Sequence, residues 1–248
     1  MSWLLDLGNT RAKWARWDGD ARGDTVEALA LASPDFVDGL AREFGAPRGD
    51  GRVWLASVAG GALTDAVVER LECAGYRCER VRTRAEALGM RIAYSEPERL
   101  GVDRFLALLA AHARDDGPWL CVSVGSALTL DLLLTDGSHV GGLIAPAPDH
   151  MRRALAERFP VLAGDGGCAD LAWASETVDA VASGSLAAAA GLVERAHRLA
   201  VERAGVAPTV LVAGGEGEAV RKALPFTSIA VAAPVLDGLA RIARAQDA

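Results

Sequence analysis

The sequence predicts an α/β protein made of two similar halves. Three observations carry this. At about 150 residues per domain, the chain holds about 1.7 domains. Each half opens with an apolar strand, a glycine turn and a second strand, and each then alternates helical and strand patterns. Between them the run Asp115-Asp116-Gly117-Pro118 breaks the chain, placing one domain at 1–116 and the other at 117–248.

In the first half, Trp3–Leu7 is a short apolar strand that stops at Gly8-Asn9-Thr10. Residues 11–17 return from that turn, and a third run near Thr25–Leu31 completes an antiparallel meander. Ser33-Pro34 reads as an N-cap with proline at the first helical position. Phe36, Val37, Leu40 and Phe44 share one face of the helix that follows. Arg52–Val58 and Tyr76–Val81 are strands flanking a helix over 64–74. Residues 86–99 are less regular, and a strong helix covers about 100–114, with Val102, Phe105, Leu106 and Leu109 at helical spacing.

In the second half, Trp119–Val124 is an apolar strand ending at Gly125, followed by strands over 127–134 and His139–Ile144. Helices occupy about 147–205, with the Ala-rich Leu186–Ala204 the longest. Val210–Val212 is a strand running into Gly214-Gly215. Residues 216–223 are helical, Thr227–Val231 is a strand and Pro234–Ala245 a terminal helix.

Composition narrows the function. The chain has 26 Lys and Arg against 33 Asp and Glu, a net charge of −7, which argues against a nucleic-acid partner. No stretch of about 18 apolar residues lacks a charge, so no membrane span is expected. The N-terminus has no basic region and carries an acid at Asp6, so no signal peptide is expected. Cys73, Cys78, Cys121 and Cys168 lack paired metal spacing and read as reduced thiols of a cytoplasmic protein. The four histidines are scattered and read as surface or helix residues. Lysine occurs only at positions 13 and 222, which singles out Lys13.

Several constellations could carry chemistry. In Asp6-Leu7-Gly8-Asn9-Thr10-Arg11-Ala12-Lys13 an acid ends a buried strand, a small-residue turn follows and a lysine sits on the return strand. Such a turn offers N–H groups and the Thr10 hydroxyl to phosphate, Lys13 a point charge, and Asp6 a ligand for Mg²⁺ directly or through water. The plain alternative is a hairpin with a surface lysine. Gly101-Val102-Asp103-Arg104 opens a helix. Asp103 there is either a dipole-stabilising acid or a general base beside an arginine that clamps a carboxylate. In Ser123-Val124-Gly125-Ser126-Ala127-Leu128-Thr129-Leu130-Asp131 the strand–turn–strand pattern recurs, with Thr129 and Asp131 on one face. Gly141-Gly142 and Gly214-Gly215 permit close backbone approach to a ligand, or are simply turns.

Two strand–turn–strand phosphate loops, one per half, resemble the acetate kinase/sugar kinase/Hsp70/actin superfamily. The ordered set Asp6-x-Gly8-Asn9-Thr10-x-x-Lys13, Gly101-x-Asp103-Arg104 and Gly141-Gly142-x-Ile144-x-Pro146 is similar to type III pantothenate kinase over essentially the whole chain. The resemblance implies two ribonuclease H-like (actin-like ATPase) domains. Each would be a mixed five-stranded sheet with flanking helices, and a cleft would lie between them. It further implies ATP-dependent phosphorylation of pantothenate to 4'-phosphopantothenate, the first step of coenzyme A biosynthesis, by a cytoplasmic homodimer.

By position, the resemblance makes Asp103 the general base. Asp6 would sit by the metal and phosphates, and Gly8, Asn9, Thr10 and Lys13 would cradle the phosphates of ATP. Gly125, Ser126, Ala127 and Thr129 form the second loop, and Gly214 and Gly215 lie near the adenosine. Tyr94, Gly101, Val102 and Arg104 line the pantothenate pocket, and Thr177 reaches pantothenate from the partner subunit. Where the family has an Asp that helps bind a monovalent cation (K⁺ or NH₄⁺), this chain has Ser123; Ser126 replaces a Thr, and Ala147 replaces a Gly. Ser123 keeps two other readings open: a non-catalytic or regulatory nucleotide-binding relative, and a kinase for another small hydroxyl substrate.

Overall fold

The computed structural model describes residues 2–247 apart from Arg48, Asp50, Asp116, Ala163 and Asp165. It divides into two units, one of residues 1–114 with 233–248 and one of residues 115–232.

The first unit holds a sheet of β1 (Ser2–Leu7), β2 (Arg11–Trp17), β3 (Glu27–Ala30), β4 (Arg52–Ser57) and β5 (Arg77–Arg80), in the order β3-β2-β1-β4-β5. β1 is antiparallel to β2 and parallel to β4, so it sits mid-sheet, and its near-continuous apolar run is covered on both faces. Trp3, Leu5 and Leu7 pack with Val53 and Leu55 under α1 (Phe36–Phe44) and α2 (Gly61–Cys73). Phe44 anchors this face: it stacks on Trp3 at 4.9 Å, meets the edge of Tyr76 at 5.9 Å and accepts the Tyr76 hydroxyl on its carbonyl at 2.9 Å.

Helix α1 starts later than Ser33-Pro34 suggests. Its N-cap is Asp35 in a left-handed conformation (φ 54°), which aspartate adopts more readily than most side chains, although its carboxylate makes no capping bond here. The irregular stretch 86–99 contains a two-stranded hairpin, β6 (Glu86–Ala87) and β7 (Met90–Arg91), and a 3-10 turn at Pro97–Arg99.

On the other face of this sheet lie α3 (Val102–His112) and α7 (Pro234–Asp247). The sequence places residues 117–248 together, but α7 packs on α3, β1 and β4 and so belongs to the first unit. The reason is local. A Cβ on Gly238 would fall on the Leu106 backbone, 2.7 Å from its carbonyl carbon, so only glycine permits this approach of the two helices. Arg22–Asp237 (2.7 Å) and Arg244–Asp20 (3.1 Å) add ion pairs from α7 to the loop after β2.

The second unit repeats the plan. Its strands are β8 (Trp119–Val124), β9 (Ala127–Leu133), β10 (His139–Pro146), β11 (Thr209–Ala213) and β12 (Ile229–Ala230), ordered β10-β9-β8-β11-β12 with the same pattern of antiparallel and parallel neighbours. Leu120, Val122, Val124, Leu128 and Leu130 pack against Leu186, Ala189 and Val193 of α5 (Thr177–Ala204). Helices α4 (Pro148–Arg158) and α6 (Gly217–Ala223) complete the unit. Gly141 and Gly142 lie within edge strand β10 rather than in a turn. Gly141 (φ 137°) follows a bulge after His139, where an extra residue demands that backbone.

His139 is not a surface residue. It is fully buried, and its Nε2 lies 3.0 Å from Asp131 Oδ1, which gives the acid in this apolar strand its partner. Ala147, the α4 N-cap, has φ −68°, which any residue adopts, so glycine is not required there.

Candidate active site

In the first unit the turn between β1 and β2 closes with the Gly8 N–H donating to the Arg11 carbonyl at 3.1 Å. A Cβ on Gly8 would lie 3.1 Å from that same oxygen, so the turn is tight and favours glycine. Asn9 and Thr10 are exposed at its tip, and Lys13 lies directly across from Asp6 in the strand register. Asp6 keeps partial solvent contact although protein atoms surround it densely. Burial, then the nearby charge of Asp103, pushes its pKa up to about 7 against the opposing pull of Lys13.

Asp103 stands in the first turn of α3, after the N-cap Gly101. Its Oδ1 accepts the Arg104 backbone N–H at 2.9 Å and folds back over Gly101, where a Cβ would come within 2.5 Å of it. Arg104 is buried, and its Nη1 donates to the Tyr94 hydroxyl at 3.2 Å. The guanidinium also lies 6.0 Å from the centre of the Tyr94 ring. Asp6, Lys13 and Asp103 are thus electrostatically coupled, and Tyr94, Gly101, Val102 and Arg104 gather on the same helix start.

Beside this helix start, at the carboxyl ends of β4 and β5, opens a cavity of about 360 Å³. Gly101 and Val102 form part of its wall, and Arg80, Arg82 and Arg99 lie around it. None of these three arginines stands out in the sequence, because guanidinium groups are spread throughout it; only the fold gathers them.

In the second unit the turn after β8 is one residue shorter, the Gly125 N–H donating to the Ala127 carbonyl at 3.0 Å. Gly125 is exposed, and Ser126, Ala127 and Thr129 are half-buried. The turn after β11 lies against it. Gly214 has φ 100°, and a Cβ there would lie 2.8 Å from Val124 N and closer still to its carbonyl. Glu216, which follows Gly214-Gly215, donates its N–H to the Val124 carbonyl at 3.3 Å. Sequence reasoning missed Glu216; an acid directly after a Gly-Gly at a helix start was the available signal. Thr177 is exposed at the start of α5.

Among the described residues, no group of three or more His, Cys, Asp and Glu side chains could hold a metal ion by itself. Asp6 nevertheless suits Mg²⁺ bound together with a nucleotide. It is a hard oxygen donor whose charge is disfavoured by burial and by Asp103, and a divalent cation relieves both. Ser123 is a poor fit for the monovalent cation. It is a half-buried neutral residue paired with Thr129 and Ala213, while Asp131, the acid nearest along β9, is bonded to His139.

Among the described residues, no helix is long and apolar enough to cross a membrane. Residues 3–199 match the family model of type III pantothenate kinase. The type III pantothenate kinase of Stenotrophomonas maltophilia (strain K279a) is 45% identical over 249 residues, covering 99% of this chain and 98% of the relative. Solved structures share the fold at low identity. A conserved Baf family protein from Campylobacter jejuni superposes with TM-score 0.60 at 18% identity, covering 98% of each chain. An inorganic polyphosphate/ATP-glucomannokinase from Arthrobacter sp. strain KM gives TM-score 0.50 at 16% identity, again covering 98% of each chain. The two sheets are therefore those of the actin-like sugar kinases, and the chain belongs to the type III pantothenate kinase family.

Proposed function

We propose that this enzyme transfers the γ-phosphoryl group of ATP to the primary hydroxyl of pantothenate, in the cytoplasm, as the first step of coenzyme A biosynthesis. The observation that carries the reading is the placement of Asp103. Its carboxylate shares an electrostatic site with Asp6 and Lys13, in the same helical turn that holds Arg104 against Tyr94.

Asp103 accepts the proton as the pantothenate oxygen forms its bond to the γ-phosphorus. The bond from that phosphorus to the β,γ-bridging oxygen breaks, and ADP leaves with the electron pair. Lys13, Thr10 and the exposed turn tip at Asn9, shaped by Gly8, hold phosphate oxygens in line for this displacement. Gly125, Ser126, Ala127 and Thr129 are assigned to phosphate as well, and Gly214 and Gly215 to the adenosine. Mg²⁺, held by Asp6 directly or through water, supplies neutralisation of the phosphate charge when bound. Gly101, Val102, Arg104 and Tyr94 orient the acceptor, and the Arg104 guanidinium, held against Tyr94, suits an acidic one.

We further assign a homodimer in which Thr177 contacts pantothenate across the subunit boundary. Exposed apolar side chains ahead of α5, including Val161 at 86% and Trp173 at 95% exposure, support a covering partner. Sedimentation at twice the chain mass is expected.

The test is pantothenate-dependent ADP release in a coupled assay, run with Na⁺, K⁺ or NH₄⁺. Release that requires pantothenate, and fails with a panel of other small alcohols, supports the reading. ATP binding without turnover under all three salts would instead establish a non-catalytic nucleotide-binding relative, the alternative that Ser123 keeps open.

A further inference from the structure

Three chain segments converge at one end of the second sheet. They are the Gly125–Ala127 turn after β8, the junction of β10 with α4, and the Gly214–Glu216 turn after β11. Pro146 at the end of β10 pairs with Ala127, which fixes the first two together. Glu216 binds the third to both. Its N–H donates to the Val124 carbonyl at 3.3 Å, and its carboxylate Oε1 accepts the Asp149 N–H in the first turn of α4 at 3.2 Å. Oε2 faces Arg152 Nη2 at 3.5 Å, and the same Nη2 donates to Asp149 Oδ1 at 3.2 Å.

This carboxylate does work that the local sequence cannot. The N-cap of α4 is Ala147, which has no side-chain acceptor for the open N–H groups of the first turn. An acid from a distant turn provides it, with the helix dipole adding to the attraction. In return, α4 holds a turn whose own residues, Gly214 and Gly215, have no side chains with which to anchor themselves. Gly214 fits only because its bare Cα lies against the Val124 backbone, so a shift of the turn would move both surfaces assigned to the nucleotide.

We infer that Glu216 is a positioning residue for the nucleotide: its carboxylate pins the Gly214–Gly215 turn to the start of α4, which the Pro146–Ala127 pairing ties in turn to the Gly125–Ala127 turn. The inference rests on the reading of these two turns as nucleotide-binding. Loss of the lock leaves a looser turn that ATP must order as it binds, which weakens nucleotide affinity. It leaves Asp103 and the acceptor residues of the first unit untouched.

The experiment compares the wild type with Glu216→Ala and Glu216→Gln, varying ATP and pantothenate separately. Glu216→Ala is expected to raise KM for ATP about tenfold, with kcat and KM for pantothenate within about twofold of wild type. Glu216→Gln keeps an acceptor for the Asp149 N–H and recovers most of the loss. An unchanged KM for ATP overturns the inference. So does a joint loss of kcat, both KM values and thermal midpoint, which marks a merely structural residue. Titration of a fluorescent ATP analogue into each protein separates this inference from the functional reading. If the wild type binds the analogue but does not turn over pantothenate, only the kinase reading fails. About tenfold weaker analogue binding by Glu216→Ala then still supports the positioning role, and equal binding refutes it.

Discussion

Asp6 and Asp103 share one electrostatic site, on β1 and the first turn of α3, and they oppose each other's charge. Burial first and Asp103 second raise the Asp6 pKa to about 7, with Lys13 only partly offsetting them. The fold therefore holds two like charges in an unfavourable arrangement.

The first prediction follows from the sign of that shift. In the unfolded chain Asp6 titrates near about 3.9, so between that value and about 7 the folded state binds the extra proton. Stability linked to Asp6 is full below the unfolded value and is lost as pH rises to the folded one, by about 4 kcal/mol at most. Asp6→Asn abolishes this loss. In metal-free buffer the variant is expected to be more stable than wild type at pH 8, with the gap closing as the pH approaches 4. Urea unfolding across the pH series measures it, and parallel profiles for the two proteins would refute it. The same variant is expected to lose kinase activity.

Asp103→Asn tests the base. It removes the proton acceptor while nearly preserving shape, so kcat is expected to fall by about 10²–10⁴-fold. Both KM values stay within about threefold, because binding groups remain. The variant carries an independent signature, since removal of the neighbouring charge lowers the Asp6 pKa below about 7. Near-wild-type turnover would remove Asp103 from the mechanism.

Gly238→Ala tests the seam between α3 and α7. A methyl group at that position meets the Leu106 backbone, which cannot rotate away as a side chain can. The helices must separate, at a cost of about 3 kcal/mol, whereas alanine at an open helical position would stabilise. Thermal unfolding with a lowered midpoint is the expected result, and an unchanged or raised midpoint would show that the helices give way easily.

That seam also marks where the sequence stopped being legible. Apolar runs bounded by turn residues locate β1, β2, β8 and β9 because local pattern determines them, and the motifs place Asp6 and Lys13 on the strands flanking a turn and Asp103 at a helix start. Nothing local assigns α7 to the first unit. That depends on Gly238 meeting Leu106, two residues far apart in the chain. His139 is equally opaque: a lone histidine beside a glycine pair reads as surface, and only the register of β9 with β10 brings it to Asp131. Glu216 and the arginines around the cavity share this property, since their partners or neighbours come from distant segments. Long-range pairing, rather than weak local signal, separates what was read from what was not.

The last prediction concerns Ser123, half-buried between Thr129 and Ala213. A neutral hydroxyl there needs no counter-ion, so wild-type turnover is expected to change less than about twofold when Na⁺ is replaced by K⁺ or NH₄⁺. Ser123→Asp introduces a charge into a partly desolvated strand, where an acid without a partner is costly. Asp131 cannot share that cost, because it is already bonded to His139 and carries the same sign. A bound monovalent cation can. The variant is therefore expected to be destabilised in Na⁺, restored in K⁺ or NH₄⁺, and to show turnover that depends on those ions. Strong stimulation of the wild type by K⁺ would instead show that backbone oxygens around Ser123 suffice to hold the ion.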